Sequence, residues 1–140
     1  GWDTHLDNFS GHKRLMPPVD AGYTAALTAL REKGLLDRTL VVAMGEFGRT
    51  PKINQNVGRD HYPRANWCMM AGGGVNPGQL IGATDEKGEG PADDTDIHPD
   101  DLGASIFHAL GIDHHKEYYT RTGRPVSLIP NGRVMHDLFD

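Results

Sequence analysis

Apolar residues along the chain follow two kinds of spacing, and these spacings predict two helices and several short strands. Within residues 17–34 they recur every three or four positions, which is typical of one buried face of a helix. Pro17 and Pro18 suit the start of this helix, and Gly34 suits its end. A second helix is predicted after His98, ending near Gly111, with a buried stripe made of Leu102, Ile106, Ala109 and Leu110.

Short apolar runs predict the strands. Residues 40–43 include β-branched side chains between turn signals, as expected for a strand buried on both faces. Residues 67–71 form a second run that ends at three glycines, which predict a tight turn, and Cys68 within it is expected to be buried. Residues 126–129 predict an edge strand, and residues 135–139 predict a terminal helical turn.

The order of these elements predicts an α/β fold. Over residues 17–43 a helix, a brief connection and a buried strand follow one another, which is the unit of a mostly parallel sheet. Residues 52–66 are polar and lack periodicity, so they are predicted to form a loop, and His114 and His115 are expected at the surface. The carboxyl ends of parallel strands share one edge of the sheet, where ligands usually bind.

Composition narrows the class of protein. A chain of 140 residues suits one domain, and its net charge of −5 with scattered Lys and Arg argues against binding to nucleic acid. Its apolar runs are all shorter than the roughly 18 residues that a membrane-spanning helix requires. A single cysteine, Cys68, cannot form a disulfide within the chain.

Candidate chemistry lies in three polar clusters next to predicted strand ends. They are Asp3 with His5, Glu46 with Arg49, and Asp60 with His61. Carboxylates and imidazoles ligate divalent ions, and a guanidinium can grip a phosphate or sulfate oxygen. Each cluster also has a simpler interpretation as a surface salt bridge, a turn cap or a solvated loop. Convergence at one sheet edge would let the clusters hold one ion and steer an anionic substrate toward it.

Several sequence motifs resemble a known family over nearly the whole chain. They are GWDTH with Asn8, LLDRTLVVAMGEFGRTP, GRDHYP, AGGG and GRPVSLIPNG. Together they resemble the bacterial domain of unknown function 1501 family, which is similar to the alkaline phosphatase and sulfatase superfamily. The resemblance implies a three-layer α/β/α sandwich with a mostly parallel sheet. Residues 1–140 would then be the carboxyl-terminal portion of one such domain.

The resemblance also implies a metal site. Asp3, His5 and His61 would ligate a divalent ion, with zinc, calcium, magnesium and manganese all open as its identity. Glu46 would be a further ligand or would anchor one, and Arg49 would orient an anionic ester. Phe47 stands where the superfamily carries a histidine for a second metal, so the resemblance does not extend to a second ion.

The function implied is metal-dependent hydrolysis of phosphate or sulfate esters, including those of polysaccharides, in a periplasmic or otherwise exported protein. In that superfamily the nucleophile comes from an amino-terminal region that this chain does not include. We therefore expect the missing amino-terminal part to be a partner of this chain, and no turnover from the 140 residues alone. The alternative is a structural or ligand-binding module without catalysis, on a scaffold that has lost its second metal.

Overall fold

A computed structural model describes residues 2–92 and 95–139. Within these residues the helices are α1, Asn8–Glu32, and α2, Pro99–Ala109. The strands are β1, Val41–Met44; β2, Gly48–Arg49; β3, His61–Tyr62; β4, Cys68–Ala71; β5, Glu117–Tyr119; and β6, Pro125–Ser127. Single 3₁₀ turns cover Leu36–Arg38 and His136–Leu138. No helix in the described ranges combines the length and apolar character needed to cross a bilayer.

The strands form antiparallel pairs, so the predicted mostly parallel α/β/α sandwich is wrong. β1 pairs with β4, β2 with β3, and β5 with β6, each as a separate two-stranded sheet. A parallel pair needs a crossover connection, usually a helix. Residues 45–67, between β1 and β4, instead contain the β2–β3 pair. The chain therefore returns beside β1 in the opposite direction.

α1 begins at Asn8, nine residues before the predicted start, so Pro17 and Pro18 lie inside it. Asp7 precedes the helix but makes no side-chain cap. The backbone N–H groups of Asp7 and Asn8 instead donate to backbone carbonyls of residues 56 and 57, at 3.0 and 2.9 Å. The start of α1 therefore depends on a contact with a distant loop and not on a local side-chain cap.

β1 and β4 lie within one residue of the predicted strands, but their predicted burial is wrong. Val41, Val42 and Ala43 in β1 are only half-buried, and Cys68 at the start of β4 is exposed. A two-stranded sheet leaves side chains open to solvent where no further layer covers them. The predicted turn at residues 72–74 is confirmed, and all three glycines there have positive φ.

α2 starts where it was predicted, because its start is encoded locally. The His98 ring accepts the Asp100 N–H at 3.3 Å, and the Asp101 carboxylate accepts the His98 N–H at 3.1 Å, which together form a capping box. The predicted buried stripe is only partly buried: Leu102, Ile106 and Ala109 are half-buried, whereas Leu110 is 60% exposed. The buried residues of α2 are Asp101, Ala104 and Ser105.

This buried face of α2 binds the carboxyl-terminal segment through hydrogen bonds. Asp101 accepts the Arg133 backbone N–H at 2.7 Å and its guanidinium at 3.3 Å. Ser105 accepts the Met135 N–H at 2.9 Å. His114, which was predicted at the surface, is also buried, and its ring lies 3.1 Å from the Gly132 carbonyl oxygen. His115 is exposed, as predicted.

Candidate metal centre

The first two candidate side chains, Asp3 and His5, lie on a short segment that is bound to a distant loop. Arg59 donates its backbone N–H to the Thr4 carbonyl at 3.0 Å, next to the two bonds that start α1. Thr4 and Asn8 are buried, and the Thr4 hydroxyl donates to the Asn8 side chain at 2.8 Å. Buried Thr4 fixes the segment, and the side chains on either side of it, Asp3 and His5, remain exposed.

The two segments approach so closely that one position requires glycine. A Cβ on Gly58 would lie 1.9 Å from the His5 carbonyl oxygen. Asp7 and Val57, on opposite sides of this junction, have left-handed backbone conformations with φ of 44° and 57°. Such conformations persist in residues other than glycine only where the surrounding contacts enforce them.

The short β2–β3 pair brings the next two residues to the same place. Arg49 and His61 are directly opposite each other in the antiparallel register. The Phe47 ring packs against the His61 ring, with their centroids 4.0 Å apart, and the Arg49 guanidinium carbon lies 5.7 Å from the Phe47 centroid. The imidazole of His61 is therefore oriented by packing on one side.

Asp3, His5 and His61 form a group whose ligand atoms all lie within 4.8 Å of one another. The Nε2 atoms of His5 and His61 are 3.2 Å apart, and His61 Nε2 is 3.2 Å from Asp3 Oδ1. His5 Nε2 is 3.9 Å from Asp3 Oδ2. A tetrahedral ion bound at about 2.0–2.1 Å requires ligand atoms about 3.3 Å apart. The two distances to Asp3 involve different oxygens of its carboxylate, and one ligand atom from each of the three residues lies close enough to the others to contribute to one such site.

Hydrogen bonds from neighbouring side chains favour the ionised form of the carboxylates at the site. The Arg49 guanidinium donates to Asp3 Oδ1, and this bond, with a second from His61, lowers the pKa of Asp3. The pKa of Asp60 is lowered by its hydrogen bond with His5 Nδ1, and further by one from Asn54. Carboxylates that stay charged are ready to ligate a cation.

The site is open to solvent. The side chains of Asp3, His5 and His61 are 55%, 44% and 46% exposed. A groove of about 600 Å³, lined mainly by polar side chains of residues 50–56, adjoins the site at Asp60. The groove is lined by Asp60 and Asn54 but by none of the three candidate ligands.

The structure brings together most of the residues predicted from sequence. Asp3, His5, His61 and Arg49 meet, whereas Glu46 lies outside the three-residue group and makes no hydrogen bond or ion pair to it among the described residues. Whether Asp3, His5 and His61 bind metal stays a prediction.

Sequence reasoning missed two neighbours of the site. Phe47 was considered only as an absent ligand, although it packs against His61. Asn54 was missed altogether, although its side chain contacts both Asp60 and the His5 carbonyl. Nothing in the local sequence indicates the role of Asn54, because it depends on a contact with a residue 49 positions away.

Comparison with known protein families identifies the family of this chain. A family profile described as "Protein of unknown function (DUF1501)" matches residues 1–139. No curated protein matches the chain, and no solved structure matches it. Neither result shows a relationship to phosphatases or sulfatases. The profile match includes every residue of the candidate centre.

Proposed function

The chain belongs to the DUF1501 family of proteins of unknown function, and we propose that Asp3, His5 and His61 bind one divalent metal ion for the hydrolysis of phosphate or sulfate esters. The observation that supports this proposal is that one ligand atom from each of the three residues lies within 4.8 Å of the other two. Three protein ligands leave a fourth position free, which is the usual arrangement of a catalytic zinc site.

The donor types favour a zinc-like ion. Two imidazole nitrogens and one carboxylate oxygen suit zinc, and to a lesser degree manganese. Calcium and magnesium prefer oxygen ligands throughout. Such an ion would polarise an ester oxygen and lower the pKa of a bound water.

Arg49 supplies the contact to an anionic substrate in this proposal. Its guanidinium donates to Asp3 Oδ1, on the rim of the site, and its side chain is only 24% exposed. An ion on Asp3 would neutralise that carboxylate and leave the guanidinium available to a phosphate or sulfate oxygen.

The second candidate is a binding module without catalysis. The observation that favours it is the exposure of the three ligands, because electrostatic stabilisation of a transition state is strongest where water is excluded. Metal binding is common to both candidates, and ester hydrolysis separates them.

The first experiment is calorimetric titration of the metal-free chain with zinc, followed by manganese, magnesium and calcium. We expect one zinc ion per chain, and binding at least about 100-fold weaker after His61→Ala, because two ligands hold an ion poorly. His115→Ala removes an exposed histidine elsewhere and should bind like the wild type. A wild-type chain that binds none of the four ions in stoichiometric amount would overturn the proposal.

The second experiment is hydrolysis of aryl phosphates and aryl sulfates by the full-length natural protein. We expect His61→Ala to lower kcat/KM strongly, and Arg49→Ala to raise KM through weaker binding of the anion. Stoichiometric zinc without hydrolysis of any ester in the panel would instead support the binding module.

A further inference from the structure

We propose that Asp60, held in place by Asn54, is the positioning residue that directs His5 Nε2 toward the metal. This inference rests on the proposed metal site and adds two residues to it. Neither side chain is a ligand in the group formed by Asp3, His5 and His61. Both lie immediately behind it.

The two nitrogens of His5 face different partners. Nδ1 lies 2.9 Å from Asp60 Oδ1, whereas Nε2 lies 3.2 Å from His61 Nε2. An ionised carboxylate accepts hydrogen bonds and cannot donate them, so the proton of a neutral His5 is placed on Nδ1. Nε2 then carries the lone pair that a metal requires. A carboxylate bound to the outer nitrogen of a ligating histidine is a recurring feature of metal sites.

The Asn54 side chain holds the Asp60 carboxylate, which in turn orients His5. Its Nδ2 lies 3.1 and 3.2 Å from the two oxygens of Asp60, and 3.0 Å from the His5 carbonyl oxygen. Its Oδ1 accepts the backbone N–H groups of Asn56 and Gly58, each at 2.9 Å. These donors determine which end of the amide is oxygen, so its NH₂ group must face Asp60.

The backbone of Asp60 is held as firmly as its side chain. Its N–H donates to the Thr50 hydroxyl at 3.1 Å, and its carbonyl accepts the Thr50 N–H at 2.9 Å. His61 follows directly and contributes a ligand of its own. One short stretch of chain therefore supplies a ligand and orients another, as expected of a site organised before the ion arrives.

The alternative is an exposed ion pair between Asp60 and His5 with no bearing on metal binding. Such pairs contribute little to stability. Two measurements together distinguish the interpretations: nitrogen chemical shifts show whether Asp60 sets the tautomer of His5, and zinc affinity shows whether that tautomer matters for the ion. The first is a nitrogen NMR spectrum of the metal-free chain, with the His5 signals assigned by comparison with His5→Gln. The second is calorimetric titration with zinc.

We expect His5 in the wild type to carry its proton on Nδ1, and Asp60→Ala to move it toward Nε2. Zinc binding should weaken by about 10–100-fold in Asp60→Ala, which is typical for loss of a residue that supports a metal ligand. Asn54→Ala should weaken it in the same direction but by less. Asp60→Asn keeps an acceptor for the Nδ1 proton, so it should retain the wild-type tautomer and lose less affinity than Asp60→Ala.

Asp20→Ala is the matched control, because it removes the same charge from an exposed position on α1. It should leave the tautomer and the zinc affinity unchanged. A folded Asp60→Ala chain with the wild-type tautomer and affinity would overturn the inference while leaving the proposed metal site intact. Absence of zinc binding by the wild type would overturn both.

Discussion

Replacing Gly58 with alanine is expected to disrupt the candidate centre without altering any ligand. A Cβ at this position would lie 1.9 Å from the His5 carbonyl oxygen and 2.5 Å from the Leu6 backbone nitrogen. Both are backbone atoms, so no side-chain rotation relieves the overlap, and the two segments must separate by about 1 Å or more. Gly58 does not have a positive φ, so the effect is steric alone.

The size of the effect follows from the contacts that this separation breaks. Backbone hydrogen bonds of 2.9–3.0 Å join the segments, from Asp7 to Asn56, from Asn8 to Val57 and from Arg59 to Thr4. At about 0.5–1.5 kcal/mol each, their loss should lower the free energy of unfolding by about 2–4 kcal/mol. The Nε2 atoms of His5 and His61, now 3.2 Å apart, would no longer reach one ion, and zinc affinity should fall by at least about 100-fold.

Gly22→Ala is the matched control for this substitution. Gly22 lies inside α1, and a Cβ there would meet nothing within 4 Å. Alanine should therefore stabilise the helix by about 0.5–1 kcal/mol and leave zinc binding unchanged. Urea denaturation followed by circular dichroism, together with zinc calorimetry, measures both properties in both variants. A Gly58→Ala chain that matches the wild type in both properties would show that the two segments do not need glycine at this position.

Three further predictions concern substitutions of Arg49, Asp101 and Val57. Arg49→Gln should tighten zinc binding by about fivefold in calorimetry, because the guanidinium no longer competes for the Asp3 carboxylate, and weaker binding would contradict this. Asp101→Asn should lower the free energy of unfolding at pH 7 by about 1–3 kcal/mol, since Asp101 is only 4% exposed and holds Arg133. Burial raises the pKa of Asp101, but hydrogen bonds from Arg133 and His98 outweigh it, so its pKa is lowered. Its contribution is therefore present above its ordinary value of 3.8 and is lost as the pH falls through the lower folded-state pKa, and urea denaturation should show wild type and variant converging in strong acid. Val57→Gly should raise the melting temperature and stabilise the fold by about 1 kcal/mol, because glycine adopts its φ of 57° without strain; a lower melting temperature would count against this.

The elements that could be predicted from sequence are those whose signals are local. The start of α2 depends on His98, Pro99 and Asp101, which lie within four residues of one another. The start of α1 depends on backbone carbonyls of residues 56 and 57. Pro17 and Pro18, which lie inside the helix, led to the prediction of a later start. The direction of β4 depends on the path of the 23 residues before it, which apolar spacing does not reveal.

The meeting of Asp3, His5 and His61 was expected for the wrong reason. The sequence predicted that a shared edge of a parallel sheet would align them. In the structure they are brought together by the antiparallel pairing of Arg49 with His61 and by the close backbone contact between Gly58 and His5. Residue types indicated which side chains suit a cation. Long-range contacts bring these side chains together. The same contacts place Asn54 beside Asp60 and His5, which no local sequence pattern indicates.

The ligands are far apart along the chain, so binding of an ion would be coupled to the stability of the folded state. Asp3 and His61 are 58 positions apart, so the site does not exist in an unfolded chain. An ion bound there would act as a reversible cross-link, in a protein whose single cysteine cannot supply a disulfide bridge. At a free concentration 100 times its dissociation constant, it would stabilise the native state by about 2.7 kcal/mol. The availability of metal would then regulate how long the folded molecule survives.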